Sequence, residues 1–291
     1  MITRVWLLAK VTLWEALRHR VLNVLLLFAL AIIGTANFFS QLSFDEQLKF
    51  VKDFSFGAMT LIGVLMAVVS MAQLLPQEVE NRTLFTILSK PVRRWEFLAG
   101  KFLGMALTLL LALVVMALVF GAVLKLQEKN LEQQILQQMQ ETVSLEEKAE
   151  ARETLQKIQA EVRDPYLFVA FGMIYGRWLL VAAVALLIST FSTSMLFTVV
   201  MTMMVYVIGH LQSTAREMWW HGSVGLSAIT KGILVVVSVF FPDFQMLSGV
   251  DNIVVGTVPS GLDLFYILSY VVLYVGVAVG AACLIFSQRE W

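Results

Sequence analysis

Long uncharged apolar runs alternate with short polar segments along this chain. Residues 21–39, 54–75, 102–124, a run within 166–190, and 264–286 are each long enough to cross a hydrocarbon core of about 30 Å as a helix. A sixth run, Met195–Leu211, is shorter but uncharged and is counted as a span. The stretch 232–241 is too short to cross and stops at Pro242. It reads as a re-entrant or interfacial segment near 229–242, whose broken backbone must then be buried in protein. The pattern predicts an all-α integral membrane protein with six transmembrane helices.

Ahead of the first span, Val5, Ala9, Leu13, Ala16 and Leu17 share one helical face, and Trp6 and Trp14 punctuate the stretch. This pattern predicts a helix lying in the membrane interface and anchored by the two tryptophans. The plainer alternative is the cytoplasmic end of the first span. Arg4, Lys10, Arg18 and Arg20 lie here without a small-residue cleavage site, so the stretch is not a removable signal peptide.

Between the third and fourth spans the pattern changes abruptly. Residues 125–165 carry six basic and nine acidic residues and no aromatic one. Leu131, Ile135 and Met139 recur at helical spacing, as do Leu155, Ile158 and Val162. Ser144 with Glu147 makes a capping-box pattern, and Asp164–Pro165 stops the second run. A helical hairpin standing outside the membrane is predicted, about 25 Å per arm. Its narrow apolar stripe needs a cover: its own second arm, a second copy of the chain, or another protein. The chain then divides into 1–124, the 125–165 hairpin, and 166–291.

Composition sharpens this picture. Of the 291 residues 59% are hydrophobic and only 14% charged, against about 25% charged in soluble domains. A water-soluble enzyme is excluded. Lys plus Arg balance Asp plus Glu at 21 each, so no polyanion-binding footprint stands out. The single cysteine, Cys283, excludes an intrachain disulfide. Charge also orients the chain: nine basic residues lie in 1–20 and 76–101, against Lys49 and Lys52 in the short loop on the other side. By the positive-inside rule both termini are expected in the cytoplasm and the hairpin outside.

The cytoplasmic segment 76–101 has mixed charges. Glu78, Glu80 and Arg82 come first, then Lys90, Arg93, Arg94, Glu96 and Lys101. Leu84, Ile87 and Leu88 share one face of a short helix that Pro91 ends. An amphipathic helix with a charged rim suits docking of a soluble partner. An ordinary loop held inside by its positive charges is the other reading.

The same segment resembles the signature of ABC-2 type transporter permeases, an E-x-E-x-x-T run leading to a K-P-x-x-R-x-E-x-x-x-x-K run. The matching residues are Glu78, Glu80, Thr83, Lys90, Pro91, Arg94, Glu96 and Lys101. The opening AKVTLWEALRHRVLNVLLLFAL resembles that family's entry helix and first span. FFPDFQML resembles its proline-centred segment before the last span, and IFSQREW its tail. Among its branches, the multicopper-enzyme maturation permeases, including that of nitrous oxide reductase assembly, are the most similar. The 125–165 insert departs from the usual short connection.

The resemblance implies a half-transporter of a bacterial cytoplasmic membrane. Two permease chains would pair, each resting on a separate ATPase subunit that binds ATP and Mg, with no cofactor in this chain. The segment around Glu78–Lys90 would be the coupling helix. Glu78, Glu80 and Arg82 would hold it by charge, Thr83 and Lys90–Pro91 complete its signature, and Leu84, Ile87 and Leu88 would dock. Arg93, Arg94 and Lys101 would anchor to lipid headgroups or else contact the ATPase directly, and the hairpin would offer a surface to an extracytoplasmic partner. No G-x-x-x-x-G-K-[ST] occurs in the chain, so energy would come from the partner.

Other polar residues at membrane depth are few. Arg177 either sits at the outer interface and snorkels, with Trp178 marking that boundary, or contacts an anionic lipid or substrate group. His210 and His221 flank a polar stretch above Met201, Met203 and Met204, which suggests either a soft-metal path or ordinary methionine packing. No H-E-x-x-H or G-x-S-x-G motif is present, and no catalytic residues or metal site are assigned. Two rivals to the transporter reading are an ATPase-independent channel or carrier, and a scaffold acting through its hairpin.

Overall fold

The computed structural model describes residues 2–41, 47–80, 93–141, 145–192, 194–220, 241–254 and 260–288. Among these residues every regular element is helical. Helix α1 spans Ile2–Leu17, α2 Arg20–Ser40, α3 Gln47–Glu80, α4 Arg94–Glu141 and α5 Leu145–Val162. They are followed by α6 Leu167–Phe191, α7 Met195–Trp220, a 3-10 turn at Gln245–Leu247, the short α8 Gly249–Val254, and α9 Gly261–Gln288. Among the described residues five stretches are long and apolar enough to cross a membrane, and Met195–Leu211 within α7 is a shorter apolar one. The chain is therefore a multi-pass membrane protein.

Helix α6 is the axis of the bundle. It packs against α3, α4, α7, α8 and α9 and buries sixteen of its 25 residues. Lipid is as apolar as leucine, so such packing comes from close fit rather than from exclusion of water. The run Ala182, Ala183, Ala185 supplies that fit with small side chains, all fully buried. Trp178 needs a slot of its own and finds it at Gly63 of α3. A Cβ on Gly63 would lie 1.8 Å from the indole ring. Trp178 is thus fully buried and marks no interface, which corrects the expectation of an interfacial tryptophan beside Arg177.

Helix α4 is 48 residues long, about 70 Å, more than twice the thickness of a hydrocarbon core. It passes through 124–125 without a break, so the change of composition there is not a structural boundary. The third span and the first hairpin arm are one helix. Helix α5 returns along α4, with Gln159 Nε2 donating to Glu132 Oε1 at 2.7 Å. Leu131, Ile135, Leu155, Ile158 and Val162 are half-buried, so the arms cover each other's stripe. Lys52 of α3, itself buried, reaches Glu161 at 3.3 Å and ties the second arm to the bundle. Ser144, the expected cap, lies outside the described residues.

Candidate functional site

Three polar assemblies interrupt this apolar bundle. The first is where α3 and α4 leave for the segment between them. Helix α3 continues through Glu80, so Glu78 and Glu80 belong to its last turn. Arg82, Thr83, Leu84, Ile87, Leu88, Lys90 and Pro91 lie outside the described residues. The far side of the loop is described, and it is fastened. The Arg93 backbone N–H donates to Glu96 Oε2 at 3.2 Å, so the buried Glu96 caps the start of its own helix. Arg94 Nη1 donates to the carbonyls of Phe286 and Ser287, at 3.3 and 3.2 Å, and so holds the last turn of α9. Lys101 is buried and pairs with Glu15 of α1 at 3.2 Å.

These contacts give Arg94 and Lys101 protein partners rather than lipid headgroups; Arg93 is exposed. Helix α1 lies along α4 above the same region. Ala9 is fully buried against Gly104, where a Cβ would come within 2.5 Å of the Ala9 carbonyl oxygen. Trp6 and Trp14 face outward from α1, and both are exposed.

The second assembly is a groove of about 650 Å³ along one face of α3, from Asp53 to Leu65, or about 18 Å. Gly57, Thr60 and Val64 line its length, and Met203 and Tyr206 of α7 and Val250 of α8 close its sides. Arg177 of α6 enters it, only 8% exposed. Its Cα is ten residues, about 15 Å, inside the hairpin-side end of α6. The arginine is thus buried inside the protein rather than extended along its surface.

The third assembly explains where that charge goes. Pro242, Asp243 and Phe244 run through the bundle as irregular buried backbone, whose polar groups need partners in lipid. Arg177 Nη2 donates to the Phe244 carbonyl at 3.4 Å. The Phe244 N–H donates to the Gly209 carbonyl at 3.5 Å, and the Asp243 N–H to the Tyr270 hydroxyl at 2.8 Å. The Gln245 N–H donates to Asp243 Oδ1 at 3.0 Å. A side chain on Gly209 would meet the Pro242 carbonyl at 2.3 Å, so only glycine allows this approach. Residues 229–240 of the expected re-entrant segment lie outside the described residues. The irregular backbone at Pro242–Phe244 is buried in protein.

Asp243, Tyr270 and Glu15 were not singled out from sequence. A lone carboxylate after the proline of an apolar run was the available signal for Asp243. The methionine stretch does not converge: Met203 lines the groove, whereas Met204 is exposed on another face. His210 is exposed and stacks on Tyr206, and His221 lies outside the described residues.

No curated protein matches the chain. Residues 35–279 match the family model described as ABC-2 family transporter protein, a match that includes the groove and the Arg93–Lys101 side of the loop, while Glu15, Phe286 and Ser287 lie outside it. A bundle of apolar helices carrying these features over most of the matched length is thus a multi-pass membrane protein that belongs to the ABC-2 transporter family.

Proposed function

We propose that the chain is the permease subunit of an ATP-driven exporter in a bacterial cytoplasmic membrane. It works as a pair of chains, each seated on a separate ATPase subunit that binds ATP and magnesium. Six spans cross the membrane, Met195–Leu211 included, with both termini and the loop between α3 and α4 inside and the hairpin outside.

One observation carries this reading. The exit of the loop is moored to three helices, through Glu96 on α4, Lys101–Glu15 on α1, and Arg94 on the end of α9. A loop that only kept positive charge on one side would need no mooring. A lever does. A push on the loop reaches α3 and α4 directly, α1 through its packing at Gly104, and α9 through Arg94. Access then alternates by rigid-body change between two packings of the bundle. The groove along α3 lies on a helix so moved, and Arg177 within it offers a hydrogen-bonding cation to a passing substrate.

Affinity purification of the full chain in mild detergent from its native host tests this. An ATPase chain in equal amount, and ATP hydrolysis by the complex, are expected. Glu78→Lys with Glu80→Lys should remove both while leaving the permease folded. Recovery of the wild-type chain alone, without hydrolysis, would overturn the reading and favour a channel or a scaffold.

A further inference from the structure

A second groove, of about 520 Å³, lies on the other side of the bundle beneath the hairpin, where α4 and α6 diverge. Its floor and walls are apolar: Leu113, Leu118 and Phe120 from α4, Phe168 and Phe171 from α6. Leu118 is 70% and Phe168 79% exposed, so no other part of the described chain covers it. Gly121 lies midway, with nothing within 4 Å of where its Cβ would stand. The charged residues stand at one end only. Lys125 of α4 and Arg163, just after α5, line the mouth together with Asp164. One Asp164 carboxylate oxygen accepts from the Tyr166 N–H at 3.0 Å, at the start of α6.

Length and charge name the occupant. From Leu113 to Lys125 is about 18 Å along α4, close to half a bilayer core plus the headgroup level. An acyl chain fits the apolar part. The mouth, where two cations outnumber one carboxylate, suits a phosphate. We infer that this groove is a binding site for one phospholipid of the hairpin-side leaflet, with its phosphate between Lys125 and Arg163 and an acyl chain passing Gly121. A second copy of the chain would bring apolar helix to this mouth and leave both cations facing hydrocarbon, which the charges disfavour.

Titration of the full chain in mild detergent, followed by native mass spectrometry, tests this without any ATPase. Its failure would therefore leave the exporter reading untouched. The probes are dioleoylphosphatidylglycerol and dioleoylglycerol, which share acyl chains and differ in the phosphate. The wild type should hold one phosphatidylglycerol roughly 25-fold more tightly than the diglyceride, about fivefold for each cation. Lys125→Gln with Arg163→Gln should reduce that preference to near unity. Gly121→Phe, which fills the acyl path and leaves the charges in place, should weaken both lipids. Lys129→Gln, one turn farther along α4 and outside the groove, should change neither. Equal phosphatidylglycerol affinity in the wild type and the charge variant would overturn the phosphate seat. Equal affinity in Gly121→Phe would overturn the acyl path. Disulfide-linked dimers through Leu118→Cys would put a second chain in the groove and overturn the inference as a whole.

Discussion

Helices α6 and α9 are nearly equal in length and hydropathy, yet α6 buries sixteen residues and α9 only Val271, Ala278, Ala282 and Phe286. In water such a difference would show as an amphipathic stripe. In lipid it does not, because a leucine facing acyl chains and a leucine facing another helix sit in equally apolar surroundings. What separates the two helices is size and polarity at particular positions. Helix α6 carries Gly176 against Leu247 and Val271, a run of alanines, and a buried arginine, serine and threonine. Helix α9 carries glycines too, at 276 and 280, but they face open space. Gly176 of α6 and Gly276 of α9 therefore have opposite meanings, and substitution is the way to read such a difference.

The largest effect is expected at Gly63, the slot for Trp178. Gly63→Leu forces a side chain into an indole ring held on all sides, and such overpacking should cost about 3 kcal/mol or more. Little monodisperse protein should survive detergent extraction, as measured by fluorescence-detected size exclusion. Adding Trp178→Ala should restore part of it. Gly276→Leu on α9 should change the melting midpoint hardly at all, by less than about 0.5 kcal/mol. If Gly63, the α3 slot in which α6 seats Trp178, responds like Gly276, the contrast between the packing of α6 and of α9 is wrong.

Next in size is Arg177. Arg177→Met keeps much of the volume and removes the donor to the Phe244 carbonyl, which should cost about 1–3 kcal/mol. The loss should be local as well as global. Amide hydrogen exchange should rise in 244–254, which the arginine fastens to α6, and stay unchanged in α2. Unchanged exchange in that segment would mean that the arginine serves only the groove.

How much of this was legible in the sequence depends on whether the cause was local. The apolar runs, the short helix ahead of them and the hairpin could be read because helical period and turn residues act within a few positions. The α4 boundary misled for the same reason. Composition changes at 124–125, but nothing there breaks a helix, since Leu124, Lys125, Leu126 and Gln127 are all good helix formers. Trp178 was misread because its slot is at Gly63, more than a hundred residues away, and no single-sequence signal joins them. Lys101 read as a lipid anchor because its partner Glu15 lies on another helix. Arg177 stands out as a costly charge in an apolar run, but one of its partners, the Phe244 carbonyl, is backbone, which no side-chain pattern can reveal.

A smaller effect tests the sparsely held member of the comparison. Few side chains of α9 are buried, so the end of the helix matters. There, Arg94 completes the last carbonyls and faces the negative end of the helix dipole. Arg94→Leu should cost about 0.3–1 kcal/mol and raise hydrogen exchange in 283–288. It should also weaken the link between loop and α9 more than it weakens the fold. On the exporter reading proposed above, the expected result is reduced coupling of hydrolysis to transport at nearly normal expression. A loss of expression equal to that of Gly63→Leu would mean that α9 depends on this end far more than its exposed surface implies.

The smallest effect is expected in α5, at a pair whose side chains are both exposed. Glu153 and Lys157 are one helical turn apart and pair at 2.8 Å, with both side chains exposed. The hydrogen bond and charge of Lys157 hold the Glu153 carboxyl below its ordinary 4.5, and Glu153 in turn raises Lys157 above its ordinary 10.5. The lowered carboxyl stabilises the hairpin above 4.5, and this is lost as pH falls through its folded-state value. The raised ammonium does so below 10.5, and this is lost as pH rises through its own folded-state value. Glu153→Gln should therefore lower the protection of α5 amides slightly near neutral pH. The difference from wild type should shrink as acid protonates the carboxylate, and high salt should shrink it further. A difference that persisted in acid would show that Glu153 acts through packing. The hairpin would then resemble α6 after all, held by contacts that its polar sequence conceals.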